Sequence, residues 1–134
     1  MPLPISHDLS SIEKFKDVLR ENPGVVIIKF GAEWCAPCKK IERQVLTRMA
    51  QMPNNLQSMV IDVDDCFEVY AFMKSKKMVK GIPAILAYHK GNLNYIPDDI
   101  VVGADPQEVD LFFKRNFDKA LSLLAANKDD TNEE

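Results

Sequence analysis

The strongest constraint on this chain is the run from Val25 to Phe30 together with the segment after it. Val25, Val26, Ile27 and Ile28 are apolar without a break. Such a run reads as a strand buried on both faces, in the middle of a sheet flanked by helices. A short turn then leads into Trp34-Cys35-Ala36-Pro37-Cys38, after which Ile41, Val45, Leu46 and Met49 recur at helical spacing. Two cysteines therefore sit where a buried strand gives way to a helix. Any fold proposed for the chain must contain that junction.

The remaining segments fit around it. Ser10 with Glu13 has the form of a capping box, and Ile12, Phe15, Val18 and Leu19 follow at helical spacing until Asn22-Pro23-Gly24 stops the run. The helix after the cysteines is expected from Pro37 to about Met52, where Pro53-Asn54-Asn55 breaks it. Met59–Val63 reads as a second strand that ends among Asp62, Asp64 and Asp65, and Val69–Met78 as a helix with Lys74, Lys76 and Lys77 on a solvated side. Gly81-Ile82-Pro83 opens a strand from Ala84 to Tyr88. The turn His89-Lys90-Gly91-Asn92 and an extended segment ending near Val102 complete a hairpin. Asp105-Pro106-Gln107-Glu108 starts a last helix running to about Ala126, with Val109, Phe112, Phe113, Phe117, Leu121 and Leu124 as its core contacts. Strands alternating with helices and closing on a hairpin predict an α/β fold, a mixed central sheet with helices on both faces. One domain over residues 1–126 is expected, with an acidic, disordered tail over 127–134.

Composition narrows the function classes. The 134 residues carry 17 basic and 20 acidic side chains, a net charge of −3, which predicts no nucleic-acid partner. No apolar run approaches the roughly 20 residues that span a bilayer, so no membrane partner is expected. The first ten residues lack the basic and apolar regions of a secretory signal, which makes a cytoplasmic location the expectation. Three cysteines are too few for a disulfide scaffold, and two of them spaced by two residues suggest metal binding or redox chemistry. Zinc would need further ligands, and Cys66, His7 and His89 show no paired spacing, so no metal is expected.

Redox chemistry fits the placement better. A helix that begins beside Cys35 brings the positive end of its dipole to that sulfur and favours the thiolate, which is the nucleophile. Cys38, one turn on, would resolve the mixed disulfide. Pro37 suits the first turn and limits how the loop distorts, while Trp34 offers a flat contact surface.

The stretch Phe30-Gly31-Ala32-Glu33-Trp34-Cys35-Ala36-Pro37-Cys38-Lys39 resembles the active-site segment of thioredoxins, with alanine where that family usually carries glycine. Gly81-Ile82-Pro83 resembles the family's cis-proline segment, and Val102-Gly103 a conserved glycine region near its docking surface. The resemblance covers roughly Ile12 to Leu124 and implies a thioredoxin fold and a protein-disulfide reductase. It makes Cys35 the attacking cysteine, Cys38 the resolving one, Pro83 the cis-proline, and Trp34, Pro37, Ile82 and Gly103 its companions in substrate binding. It also implies disulfide-containing client proteins and a thioredoxin reductase as partners, with the dithiol itself as the redox group and no cofactor. Cys66 resembles the extra cysteine of animal thioredoxins, a candidate regulatory thiol, and reads equally as a small semi-buried side chain near a helix start.

The chain also departs from that pattern. Thioredoxins commonly place a buried aspartate where this sequence has Lys29. A lysine cannot serve as a carboxylate base; buried, it needs a partner or loses its proton. Glu33, Asp62 and Asp64 are its candidate partners. A charged Lys29 near the dithiol would make the pair more oxidising. Arg43 stands where thioredoxins often carry a kinking proline. These departures leave two alternatives to a general reductase: a more oxidising enzyme serving one client, and a binding or assembly module that keeps the fold without the turnover.

Overall fold

The computed structural model describes residues 2–132, and the surroundings of side chains from residue 2 to residue 126. Its elements are α1 (Ile12–Arg20), β1 (Val25–Gly31), α2 (Ala36–Met49), β2 (Leu56–Asp62), α3 (Phe67–Ser75), β3 (Ala84–His89), β4 (Asp99–Val102) and α4 (Pro106–Asn132). The four strands form one sheet in the order β2-β1-β3-β4. β1 pairs parallel with β2, from Val25 opposite Leu56 to Gly31 opposite Asp62, and antiparallel with β3; β4 adds antiparallel to β3. The sheet is therefore mixed, with the apolar run at its centre and every residue of β1 buried. This is the α/β architecture expected from the sequence.

Side chains alternate across a strand, and β1 divides the core accordingly. Val26, Ile28 and Phe30 face a cluster with Phe15 and Leu19 of α1 and Val69 and Met73 of α3. Val25 and Ile27 face the other cluster, with Ile41, Val45 and Met49 of α2 and Val109, Phe112 and Phe113 of α4. The same period puts Lys29 and Gly31 on the α2 face. α2 thus lies across the strand that leads into it, which keeps its first turn beside the end of β1.

Element ends differ from the sequence expectation in ways local bonding explains. Ser11, not Ser10, caps α1: its hydroxyl accepts the Lys14 N–H at 3.0 Å, while the Ser10 N–H turns to Asp8 Oδ1. β2 begins at Leu56 because its parallel pairing with β1 starts there. α3 starts at Phe67 and stops at Ser75, short of Met78. Lys77 enters the left-handed region (φ 61°), and the Met78 N–H closes onto the Met73 carbonyl at 2.9 Å. That is the bond pattern of a helix terminator that usually employs glycine. The connection from β3 to β4 is longer than a four-residue turn. Asp98 Oδ2 accepts from the His89 N–H at 2.7 Å and from Asn92 Nδ2 at 3.0 Å, folding residues 90–98 back on themselves. In α4, Leu121 is exposed and Leu124 half-buried, whereas Asn116 and Ala120 take the buried positions. The helix continues to Asn132, past the expected end at Ala126. Glu133 and Glu134 of the expected tail lie outside the described residues.

Candidate active site

Cys35 is the N-cap residue of α2. Its extended backbone (φ −93°, ψ 103°) turns the chain from strand to helix, and its Sγ accepts the Cys38 N–H at 3.2 Å. At this helix start a sulfur takes the place of the serine or aspartate oxygen that commonly satisfies an unpaired first-turn N–H. Pro37 stands in the first turn, where its missing N–H costs nothing. The two cysteines are joined as a disulfide with their α-carbons 5.3 Å apart, inside the range a disulfide bridges without moving the backbone. Both are buried, Cys35 at 5% exposure and Cys38 at 3%.

One side of this pair, the front, is built largely from backbone. Cys35 Sγ lies 3.9 Å from the carbonyl oxygen of Ile82, and the Ile82–Pro83 peptide is cis. The Pro83 carbonyl accepts the Gly103 N–H at 2.9 Å, and Gly103 has φ +95°, a conformation that favours glycine. The loop carrying Pro83 is thereby tied to the residue after β4. Trp34 is 69% exposed beside the buried Cys35, and its indole N–H donates to Asp64 Oδ2 at 2.8 Å. An aromatic plane is thus fixed at the edge of the disulfide.

The other side, the rear, is a cleft of about 570 Å³ that Cys38 shares with Lys29, Gly31, Glu33, Glu42 and Asp62. A β-carbon placed on Gly31 would lie 3.5 Å from Cys38 Sγ and 3.8 Å from Lys29 Cε, so sulfur and lysine stem flank one point. Lys29 is only 6% exposed. Burial pushes its ammonium below the ordinary lysine range, and the Glu42 carboxylate pulls part of the way back. Among the described residues no carboxylate comes within 4.0 Å of its amine.

Of the partners expected for Lys29, Glu33 and Asp62 line its cleft, while Asp64 is committed to Trp34. Asp62 also accepts the Asp64 N–H at 2.8 Å, which shapes the turn after β2. Sequence reasoning missed Glu42. It stands four residues after Cys38 on α2, and that spacing puts two side chains on one helix face. Cys66 lies away from the pair; it is buried at 4% exposure in the core facing α1 and α3, its thiol 4.0 Å from the His7 carbonyl oxygen. Among the described residues no group of three or more histidine, cysteine or acidic side chains is arranged to hold a metal ion.

Comparison with known proteins agrees with this geometry. The family model described as Thioredoxin matches residues 8–115. "Thioredoxin Asp f 29" of Aspergillus fumigatus is 30% identical over 115 residues, covering 82% of this chain and 96% of its own. "Thioredoxin-2" of Pyricularia oryzae is 28% identical over 110 residues; the match covers 82% of this chain but only 58% of that longer relative. Among solved structures, the thioredoxin of Malassezia sympodialis superposes with a TM-score of 0.64 at 26% identity, covering 87% of this chain and 97% of its own. The thioredoxin of Trichomonas vaginalis does so with a TM-score of 0.66 at 25% identity, covering 84% and 96%.

Proposed function

Because the chain belongs to the thioredoxin family, we propose that its thiol–disulfide oxidoreductase centre reduces disulfides in client proteins, with Cys35 attacking and Cys38 resolving. The observation that carries this reading is the N-cap position of Cys35, whose sulfur accepts the Cys38 N–H at 3.2 Å. A thiolate in that place is held by a backbone donor and by the positive end of α2.

The order of the two sulfurs sets the reaction. The Cys35 thiolate attacks one sulfur of a client disulfide; that S–S bond breaks, and the client's other sulfur leaves with the electron pair and takes a proton. Cys38, as thiolate, then attacks Cys35 Sγ. The mixed disulfide breaks, the second client thiol departs, and the internal disulfide closes. Two electrons have passed from the dithiol to the client.

In this reading Trp34, Ile82, Pro83 and Gly103 seat the client, Pro37 shapes the loop, and a thioredoxin reductase returns the electrons. The cytoplasm is its proposed location. The described residues contain no helix long and apolar enough to cross a membrane.

Insulin reduction tests the assignment. The wild type should turn over, Cys35→Ser should fall to background, and Cys38→Ser should accumulate a covalent mixed disulfide, visible by mass, instead of turning over. A wild type that leaves insulin intact would favour the assembly-module alternative and overturn the reductase.

A further inference from the structure

The family resemblance leads one to expect an acid behind the resolving cysteine, and this chain has a lysine there. We propose that Lys29 supplies the cation that lets Cys38 ionise, so that the resolving thiolate is formed against a buried positive charge. This deepens the reading above and rests on it.

Three observations support the proposal. Lys29 and Cys38 share one cleft, and both flank the point where Gly31 lacks a side chain. A β-carbon on Gly31 would sit in ordinary contact with both, so glycine leaves this small space between sulfur and lysine stem unfilled. Second, the other titratable groups on the cleft are His7, Glu33, Lys39, Glu42, Asp62 and Asp65. Asp62 is half-buried and the rest are exposed or partly so. Charges bathed in solvent are strongly screened, whereas a partly or fully buried charge is screened less. Lys29 is therefore the least screened charge on the cleft, although carboxylates outnumber it at the rim. Third, those carboxylates give the ammonium counter-charges without reaching it: none forms an ion pair with it, and Glu42 on α2 is the one whose field reaches it most. The amine is left free to face a thiolate.

The step is balanced. Cys38 Sγ–H gives up its proton, to the Lys29 amine where that is unprotonated and to solvent where it is already an ammonium. Either route ends in thiolate beside ammonium. The thiolate attacks Cys35 Sγ, the Cys35–client bond breaks, and the electron pair leaves on the client's sulfur. In the closed disulfide no thiolate remains, and the ammonium has only the rim carboxylates. The cation thus favours the reduced pair and makes the couple more oxidising than one backed by an acid. Lys29 acts on Cys38 and not on the client.

The test needs no protein client. Reduced protein is mixed in a stopped-flow instrument with 5,5′-dithiobis(2-nitrobenzoate), whose released thiolate absorbs. The first phase reports attack by Cys35, the second resolution by Cys38. At neutral pH, Lys29→Met should slow the second phase about tenfold, the effect of roughly one unit in the thiol's ionisation. Lys29→Asp should slow it further, and Lys29→Arg, which keeps the charge, should restore most of it. In the Cys35→Ser, Cys66→Ser background, thiolate absorbance should show Cys38 ionising at higher pH once Lys29 is methionine; circular dichroism confirms that each variant is folded. A normal first phase, with a second phase and a Cys38 titration that ignore position 29, overturns the proposal and leaves the reductase standing. A wild type with no first phase overturns both.

Discussion

The two sides of the disulfide are built from different materials. On the front, Cys35 meets the Ile82 carbonyl, the cis Pro83 and a backbone bond from Gly103. On the rear, Cys38 meets a cleft walled by ionisable side chains around a buried lysine. Backbone groups are the same in every protein, so a front made of them depends on conformation and survives wide sequence change. A rear made of side-chain charge can be reset by one substitution. The difference locates where this chain can vary its chemistry without losing its fold: behind the resolving sulfur, away from the front on which the proposed function seats the client.

If the front depends on conformation, disturbing conformation alone should damage it. Gly103 is the place to try, because a β-carbon there would meet nothing within 4 Å. Gly103→Ala then carries only the backbone cost of φ +95°, about 1–2 kcal/mol. Chemical denaturation should show that loss, and kcat/KM for insulin should fall as strain at residue 103 shifts the backbone N–H that the Pro83 carbonyl accepts. The second phase with the aromatic disulfide, which reports the rear, should stay near wild type relative to the first. A variant as stable as wild type would show that the front does not rest on this hinge.

The rear yields the next largest effect, and it depends on pH. The folded protein holds the Lys29 ammonium below the ordinary lysine range because burial opposes the charge. Below the folded value both folded and unfolded chains are protonated, and the full burial cost is present. As pH rises from the folded value toward the ordinary one, the unfolded chain still binds the proton and the folded chain has shed it. Stability therefore rises through that window. Lys29→Met removes the cost and should be more stable than wild type at neutral pH by on the order of 1 kcal/mol, with the gap closing in alkali. Tyr88, which burial pushes up, should weaken both proteins above the ordinary tyrosine range. The difference between variants is thus the quantity to track, by urea denaturation across pH. A gap that holds constant into alkali would mean that the lysine is not charged at its buried site.

Legibility in the sequence divides along the same line. The apolar run of β1 announces a central strand, and Cys35 with Pro37 announces a helix start, because both patterns are local and one-dimensional. The cap at Ser11 is harder to read: Ser10 and Ser11 are both good caps, and only Ser11 finds a free N–H at Lys14. The end of α3 carries no glycine to mark it; Lys77 takes the left-handed turn itself. Glu42 behind Lys29 is legible only in part. Its helical spacing from Cys38 can be counted, but that α2 lies over Lys29 of β1 depends on packing, which no single segment encodes. Asp64 lies just past the neighbouring strand in the sequence and so looks like a partner for Lys29; the turn after β2 carries it to Trp34 instead.

That last contact offers the smallest test and the one that separates the two sides most cleanly. The Trp34 indole is mostly solvent-exposed and held by one hydrogen bond to an exposed carboxylate, so the bond stabilises the protein by no more than about 0.5–1 kcal/mol. Asp64→Ala should barely move the denaturation midpoint. It should free the indole, and since Trp34 is the only tryptophan in the chain, its fluorescence anisotropy should fall measurably. Asp64→Asn keeps an acceptor oxygen and should leave the anisotropy near wild type. KM for insulin should rise modestly in the alanine variant as the aromatic plane loses its place. Cys38 should ionise as before, because Asp64 does not line the cleft behind it. A shift in the Cys38 titration from this front-side change would mean that the two sulfurs share one electrostatic environment, and the division between front and rear would fail.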